Sequence, residues 1–374
     1  MRDVFEVANL LVEDAVRIYG GEIDIIAYSG SHARGEARDD SDLDLFYVPA
    51  DGKKPPIGRT FLLEGVLFDF WAIPWSTMEG FATGHIRGWS FAPGLIHHTK
   101  ILHARTDQQS ARLAALQQQI LDLQKPEARP KMVRRALRNF GSAMVHLANL
   151  RLAVLDGNLT DVRYAGWQVI QSVWECLALS NQVFFERGLA KGLGEAAKFK
   201  DKPERLGDCI ATITTSADFS RILAAGEELV FSTRRILRRI QQTIPASTTV
   251  SEQFRQLYPE VKDKVGKLLA ACARGDSVAA HAEALHLQRE VALTLHATEQ
   301  GAGGDDFNLY SELEGPYSAL QLPDLIASCS GSLQELAAEA GRFDEKLRLT
   351  LSDQSVDLCE FKSLDELAES LNRD

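Results

Sequence analysis

Apolar residues recur at helical spacing at the start of the chain, at Val4, Val7, Ala8, Leu11, Val12, Ala15, Val16 and Ile18. The spacing predicts a helix over 2–19, ended by Gly20-Gly21. The pattern then changes. Ile23 to Tyr28 is a short, mostly apolar run and reads as a buried strand. A polar connection over 33–40 leads to a second strand at Leu43 to Val48. Pro49 to Gly58, rich in Gly, Pro and Lys, reads as a loop. Arg59 to Ala72 reads as a hairpin that turns at Glu64-Gly65. A short helix is expected over 75–84, a mixed segment over 88–98 and a brief strand over 100–104.

The helical period takes over from there. A Gln-rich linking helix is expected over 110–124, and Pro126 and Pro130 mark a boundary. Long amphipathic patterns follow over 132–155 and 161–187, with Gly157-Asn158 as the turn that sets them antiparallel. Further helices are expected over 203–214, 217–242, 251–273, 277–298, 332–349 and 363–371, and Gly301 to Asp306 is a flexible link. The fold class expected is α+β: a small mixed-sheet domain over 1–108, a helical bundle over 109–300 and a C-terminal helical extension over 301–374.

Composition adds bounds. At 374 residues the chain exceeds most single domains. Its 45% hydrophobic and 25% charged residues are ordinary for a globular protein. No apolar run approaches bilayer-spanning length, and Met1 to Glu6 lacks a signal-peptide core, so a cytoplasmic location and no membrane partner are expected. The five cysteines are scattered without a C-x-x-C pair, which points to reduced, buried thiols rather than zinc or disulfides. The net charge of −11 argues against broad nucleic-acid binding and suits a cationic substrate.

The candidate chemistry sits beside the first two strands. Gly30 permits a sharp turn and close backbone approach to a ligand, and Ser31 adds a hydroxyl that can hold phosphate oxygens. Asp42 and Asp44 are two residues apart, so on a strand their carboxylates share a face. Carboxylates so placed repel unless a cation such as Mg2+, a hard ion shared with substrate phosphates, lies between them. Asp69 lies inside an apolar run, where an acid is a ligand or a hydrogen-bonded structural group.

Gly30-Ser31, Ala33-Arg34-Gly35, Ser41-Asp42-Leu43-Asp44-Leu45 and Asp69 resemble the polymerase-β-like nucleotidyltransferases, and among them the bacterial kanamycin and other antibiotic nucleotidyltransferases. The resemblance covers about the first 105 residues. It implies transfer of a nucleoside monophosphate, AMP from ATP by preference, to a hydroxyl of a small-molecule acceptor such as an aminoglycoside. By the same resemblance, Gly30, Ser31 and Arg34 bind the nucleotide, and Asp42, Asp44 and Asp69 are the catalytic carboxylates holding two Mg2+ ions. Alternatives stay open: a toxin-type enzyme acting on tRNA or protein, and a nucleotide-binding regulator without turnover. A homodimer also stays open. Glu175, on an apolar helix, reads as a paired core acid before it reads as a base, and Lys191, Lys198, Lys200 and Lys202 as solvated surface before phosphate ligands. His97, His98 and His103 lack partnered acids at metal spacing.

Overall fold

The computed structural model describes residues 4–38, 41–84, 88–187, 192–245, 248–300 and 310–371. Two compact units divide the chain after Arg238.

The first unit opens with α1 (Val4–Tyr19), β1 (Ile23–Tyr28), the five-residue α2 (Gly30–Arg34) and β2 (Leu43–Pro49). The expected hairpin follows as β3 (Arg59–Leu63) and β4 (Val66–Ala72), with Glu64 and Gly65 at positive φ in the turn. Then come α3 (Trp75–Thr83), α4 (Ala92–His97), β5 (Lys100–Ala104) and α5 (Asp107–Leu123). The five strands form one sheet in the order β3-β4-β2-β1-β5. β2 and β4 run parallel and the other neighbours antiparallel, so the sheet is mixed.

Strand alternation sorts the two faces. Leu43, Leu45 and Tyr47 of β2 and Phe68 and Phe70 of β4 join Val7, Ala8 and Ala15 of α1 in one core. The residues between them, Asp44 and Asp69, therefore belong to the opposite face. At the other end of the sheet α3 and α5 are tied down by polar contacts. Buried Asp24 accepts from Trp75 Nε1 at 2.8 Å and pairs with Arg105 at 2.7 Å. Arg112 of α5 lies 4.2 Å over the Trp75 ring and pairs with Glu79 of α3 at 2.6 Å.

The rest of this unit is helical: α6 (Arg129–Asp156), α7 (Leu159–Ser180), α8 (Gly192–Ala196), α9 (Leu206–Thr215) and most of α10 (Phe219–Gln241). Gly157 at φ +72 ends α6, and Asn158 caps α7 by accepting from the Thr160 and Asp161 amides. The backbones pack closely where side chains are absent. A Cβ on Gly166 would lie 2.6 Å from Ile213, and one on Gly226 2.6 Å from Leu150.

One expectation fails in an informative way. The apolar pattern predicts helix as far as Arg187, but α7 ends at Ser180 and Gln182 turns left-handed at φ 56. Phe184 and Phe185 are still buried. They reach the core from an irregular segment, Phe185 packing on Phe91, Trp174 and Phe199. Burial fixes their apolar character and leaves the backbone free to leave the helix.

The second unit contains α11 (Val250–Arg274), α12 (Ser277–Gln300), α13 (Tyr310–Ala319), α14 (Leu325–Ser328), α15 (Leu333–Asp353) and α16 (Leu364–Leu371). Thr249 with Glu252 and Ser332 with Glu335 form capping boxes that start α11 and α15. A single core joins Phe254, Tyr258 and Leu268 of α11 and Leu287 of α12 with Tyr317 of α13 and Phe343 and Leu347 of α15. Segments expected on either side of residue 301 therefore share one core. The link expected at Gly301 to Asp306 lies outside the described residues. Inside this unit Gln288, 1% exposed, donates to Asp324 and Tyr310 and accepts from the Ile326 amide at 2.9 Å.

Candidate active site

The site begins where β1 ends. Ser29 is buried and its amide donates to the Asp44 carbonyl at 3.0 Å, which holds the end of β1 against the start of β2. Gly30 follows at φ +73, and a Cβ built there would stand 2.3 Å from Asp44 Oδ2. Only glycine fits, for two reasons: the backbone is left-handed, and the carboxylate occupies the side-chain position. The segment expected as a turn and polar connection is instead the short helix α2, closed by Gly35 in the left-handed region.

The parallel pairing places Asp44 beside Asp69, with Leu43 beside Phe68 and Leu45 beside Phe70. Registered residues on parallel strands share a face. Asp42 lies one residue before β2 and is exposed, while Asp44 and Asp69 are half-buried. The carboxylates feel one another. Burial raises the Asp44 pKa above the ordinary carboxylate value, the charges of Asp42 and Asp69 raise it further, and Arg34 and His32 oppose them. Burial is the largest cause, and the like charges of the two neighbouring acids add to it.

A cavity of about 450 Å3 opens here, lined by Ser29, Gly30, Ser31, Arg34, Asp42 and Asp44. Five expected site residues thus face one space. Asp69 is Asp44's neighbour in the sheet but is not among the lining residues. Among the described residues no three His, Cys, Asp or Glu side chains are grouped so as to hold a metal ion. Register brings the third carboxylate to the site; the side chains do not close into a ligand cage.

The far wall of the cavity comes from residues that sequence reading did not mark. Phe91, Gly94 and Leu95 precede and form α4, and Phe185, Glu186 and Arg187 belong to the irregular segment after α7. A Cβ on Gly94 would lie 2.8 Å from the Phe185 carbonyl, so the two pieces touch through backbone. Arg187 reaches across to Glu36 at 2.6 Å, and Arg34 approaches the same carboxylate at 3.4 Å. Arg187 is the main cause that holds the Glu36 carboxyl below its ordinary range. The only sequence signal for this wall was an aromatic pair, Phe184-Phe185, next to charge.

Glu175 resolves plainly. Its two carboxylate oxygens accept from the Trp89 and Ser90 amides, each at 2.8 Å, so it fastens α7 to the segment before α4. Lys198 and Lys200 line a neighbouring cavity of about 430 Å3 with Phe184, Glu186 and Phe199, while Lys202 donates to the Phe199 carbonyl. Lys191 lies outside the described residues. His97 and His98 pack edge to face, and His98 pairs with Glu186 at 3.5 Å.

Residues 110–241 match the KNTase C-terminal domain family, the C-terminal domain of kanamycin nucleotidyltransferase. The matched stretch runs from α5 to the end of α10 and includes the segment that supplies Phe185 and Arg187. It relates the chain to the polymerase-β-like nucleotidyltransferases. The chain is also similar to the crystal structure of a nucleotidyltransferase-like protein from Exiguobacterium sibiricum 255-15, at 14% identity over 71% of this chain and 91% of that one, with a TM-score of 0.37. No curated protein matches the chain. No described helix is long and apolar enough to cross a membrane.

Proposed function

We propose that the protein transfers a nucleoside monophosphate from a nucleoside triphosphate, ATP in the first instance, to a hydroxyl of a small acceptor. The observation that carries the proposal is the pairing of Asp44 with Asp69 in register, beside Asp42, with Gly30 seated directly on the Asp44 carboxylate. Among the described residues no side-chain hydrogen bond or ion pair explains two acids at adjacent positions of one sheet face. Clustered acids facing a cavity are what phosphoryl chemistry requires.

Mg2+ fits the donor set by chemistry. It takes hard oxygen ligands, and it binds to one or two carboxylates while water and substrate phosphates fill the other positions. Asp44 with Asp42 suffices for such a site, and Asp69 would join it by rotation of its side chain. A bound Mg2+ would neutralise phosphate charge and lower the pKa of the acceptor hydroxyl. Ser31 and the amides of the turn after Gly30 would orient the triphosphate. Arg34, held by Glu36, would place positive charge beside it. Asp69, half-buried and next to Asp44 in the sheet, would accept the acceptor's proton. Phe91 and Phe185 would shield the reacting groups from water, and the acceptor would enter along the wall that includes Glu186. An aminoglycoside-like polycation suits the chain's net charge of −11.

The test is pyrophosphate release from labelled ATP with Mg2+, against a panel of aminoglycosides, tRNA and proteins. Asp44→Asn is expected to lower the rate by about a hundredfold or more. Full activity in that variant would remove the carboxylate mechanism. Labelling of tRNA or protein alone would replace the small-molecule acceptor.

A further inference from the structure

The start of α6 carries Arg129, Lys131, Arg134, Arg135 and Arg138, with no acid in its first turn. Lys131, Arg135 and Arg138 are spaced at i, i+4 and i+7 and share one face of the helix. Lys131 and Arg138 are exposed, but Arg135 is only 6% exposed. Its Nη1 lies against Gly84, where a Cβ would stand 2.6 Å away, and its contact there is a long one of 3.9 Å to Met132 Sδ. Among the described residues no carboxylate pairs with Arg135, and its other guanidinium nitrogens have no protein acceptor.

This is an expensive arrangement. A buried cation is ordinarily matched by an anion. Here its charged neighbours are cations: burial and Arg138 lower the Arg135 pKa, and burial and Arg135 lower that of Lys131. A single oxyanion would relieve both effects at once.

We propose that Lys131, Arg135 and Arg138 form a binding site for a phosphate-class oxyanion, with buried Arg135 as its floor and the two exposed cations as its rim. The planar guanidinium offers paired N–H groups that match two phosphate oxygens, and the flanking cations supply charge. The inference does not rest on the nucleotidyl-transfer reading, because none of its residues lines the carboxylate cavity.

Isothermal titration of the full chain with inorganic phosphate and with pyrophosphate, in EDTA and at constant ionic strength, tests it. Saturable one-to-one binding is expected in the wild type. The double variant K131A/R138A, whose changes are on the surface, is expected to bind about tenfold more weakly or worse. Arg135→Met is expected to abolish binding and, without phosphate, to melt at a higher temperature than the wild type. Arg34→Ala, which removes a cation lining the carboxylate cavity, is expected to bind as the wild type does. No saturable binding, unchanged binding in K131A/R138A, or loss of binding in Arg34→Ala, which would put the anion in the carboxylate cavity, would each overturn the proposal.

Discussion

Gly30 and Asp44 cannot be changed independently. Gly30→Ala forces a Cβ toward Asp44 Oδ2 and strains a backbone at φ +73. A loss of about 1–3 kcal/mol is expected, read as a fall in the urea midpoint at unchanged m-value. Asp44→Asn should act in the opposite direction. A carboxyl whose folded pKa is raised is favoured in its protonated form by the folded state. It therefore opposes folding above its unfolded value of about 3.9, and this penalty grows as pH rises through the raised folded value. Asp44→Asn is expected to raise the melting temperature at pH 7, with the gain shrinking to nothing as pH falls below about 4. Like charges in adjacent strand positions cost about 0.2–1 kcal/mol, which sets the scale. The same reasoning predicts that Mg2+ raises the melting temperature of the wild type at pH 7 more than that of Asp44→Asn, a difference that scanning calorimetry would show. These residues were legible in the sequence because their chemistry is unusual for their positions: a glycine after a buried strand, and acids within apolar runs.

At the level of elements, legibility followed periodicity. The five strands were readable as short apolar runs bounded by turn residues, and most long helices by their regular apolar face. The wall supplied by Phe91 and by Phe185 to Arg187 was not, because irregular backbone has no period and its partners lie far off in sequence. Its placement depends on Glu175, which joins α7 to the Trp89 and Ser90 amides. Glu175→Ala leaves two amides without acceptors and should cost about 2–4 kcal/mol in chemical denaturation. Glu175→Gln keeps one acceptor and should lose less. If Glu175 were a base, Glu175→Gln would instead abolish pyrophosphate release while stability stayed near that of the wild type. The register of the sheet was also beyond the sequence pattern. Alternation shows that Asp44 and Asp69 each sit on one face, but only the parallel pairing of β2 with β4 makes them neighbours.

Across the whole molecule, composition indicated more than one domain, and contacts divide the chain after Arg238. The expected boundaries, at 108/109 and 300/301, followed changes in pattern and a glycine-rich stretch. A core shared across distant helices leaves no such mark. Phe343 is fully buried in the core of the second unit. Phe343→Ala should cost about 3–5 kcal/mol and lower the calorimetric transition of that unit, while leaving pyrophosphate release by the first unchanged. The parallel pairing has one more result. For β4 to run alongside β2, the chain must first double back as β3, and this brings Glu64 and Gly65 to the end of the sheet where Leu43 pairs with Phe68. The tip of that hairpin overhangs the same margin as Asp42. Lengthening the tip would add chain at that margin while the strands kept their alignment, so the turn can vary in length without disturbing the register that pairs Asp44 with Asp69.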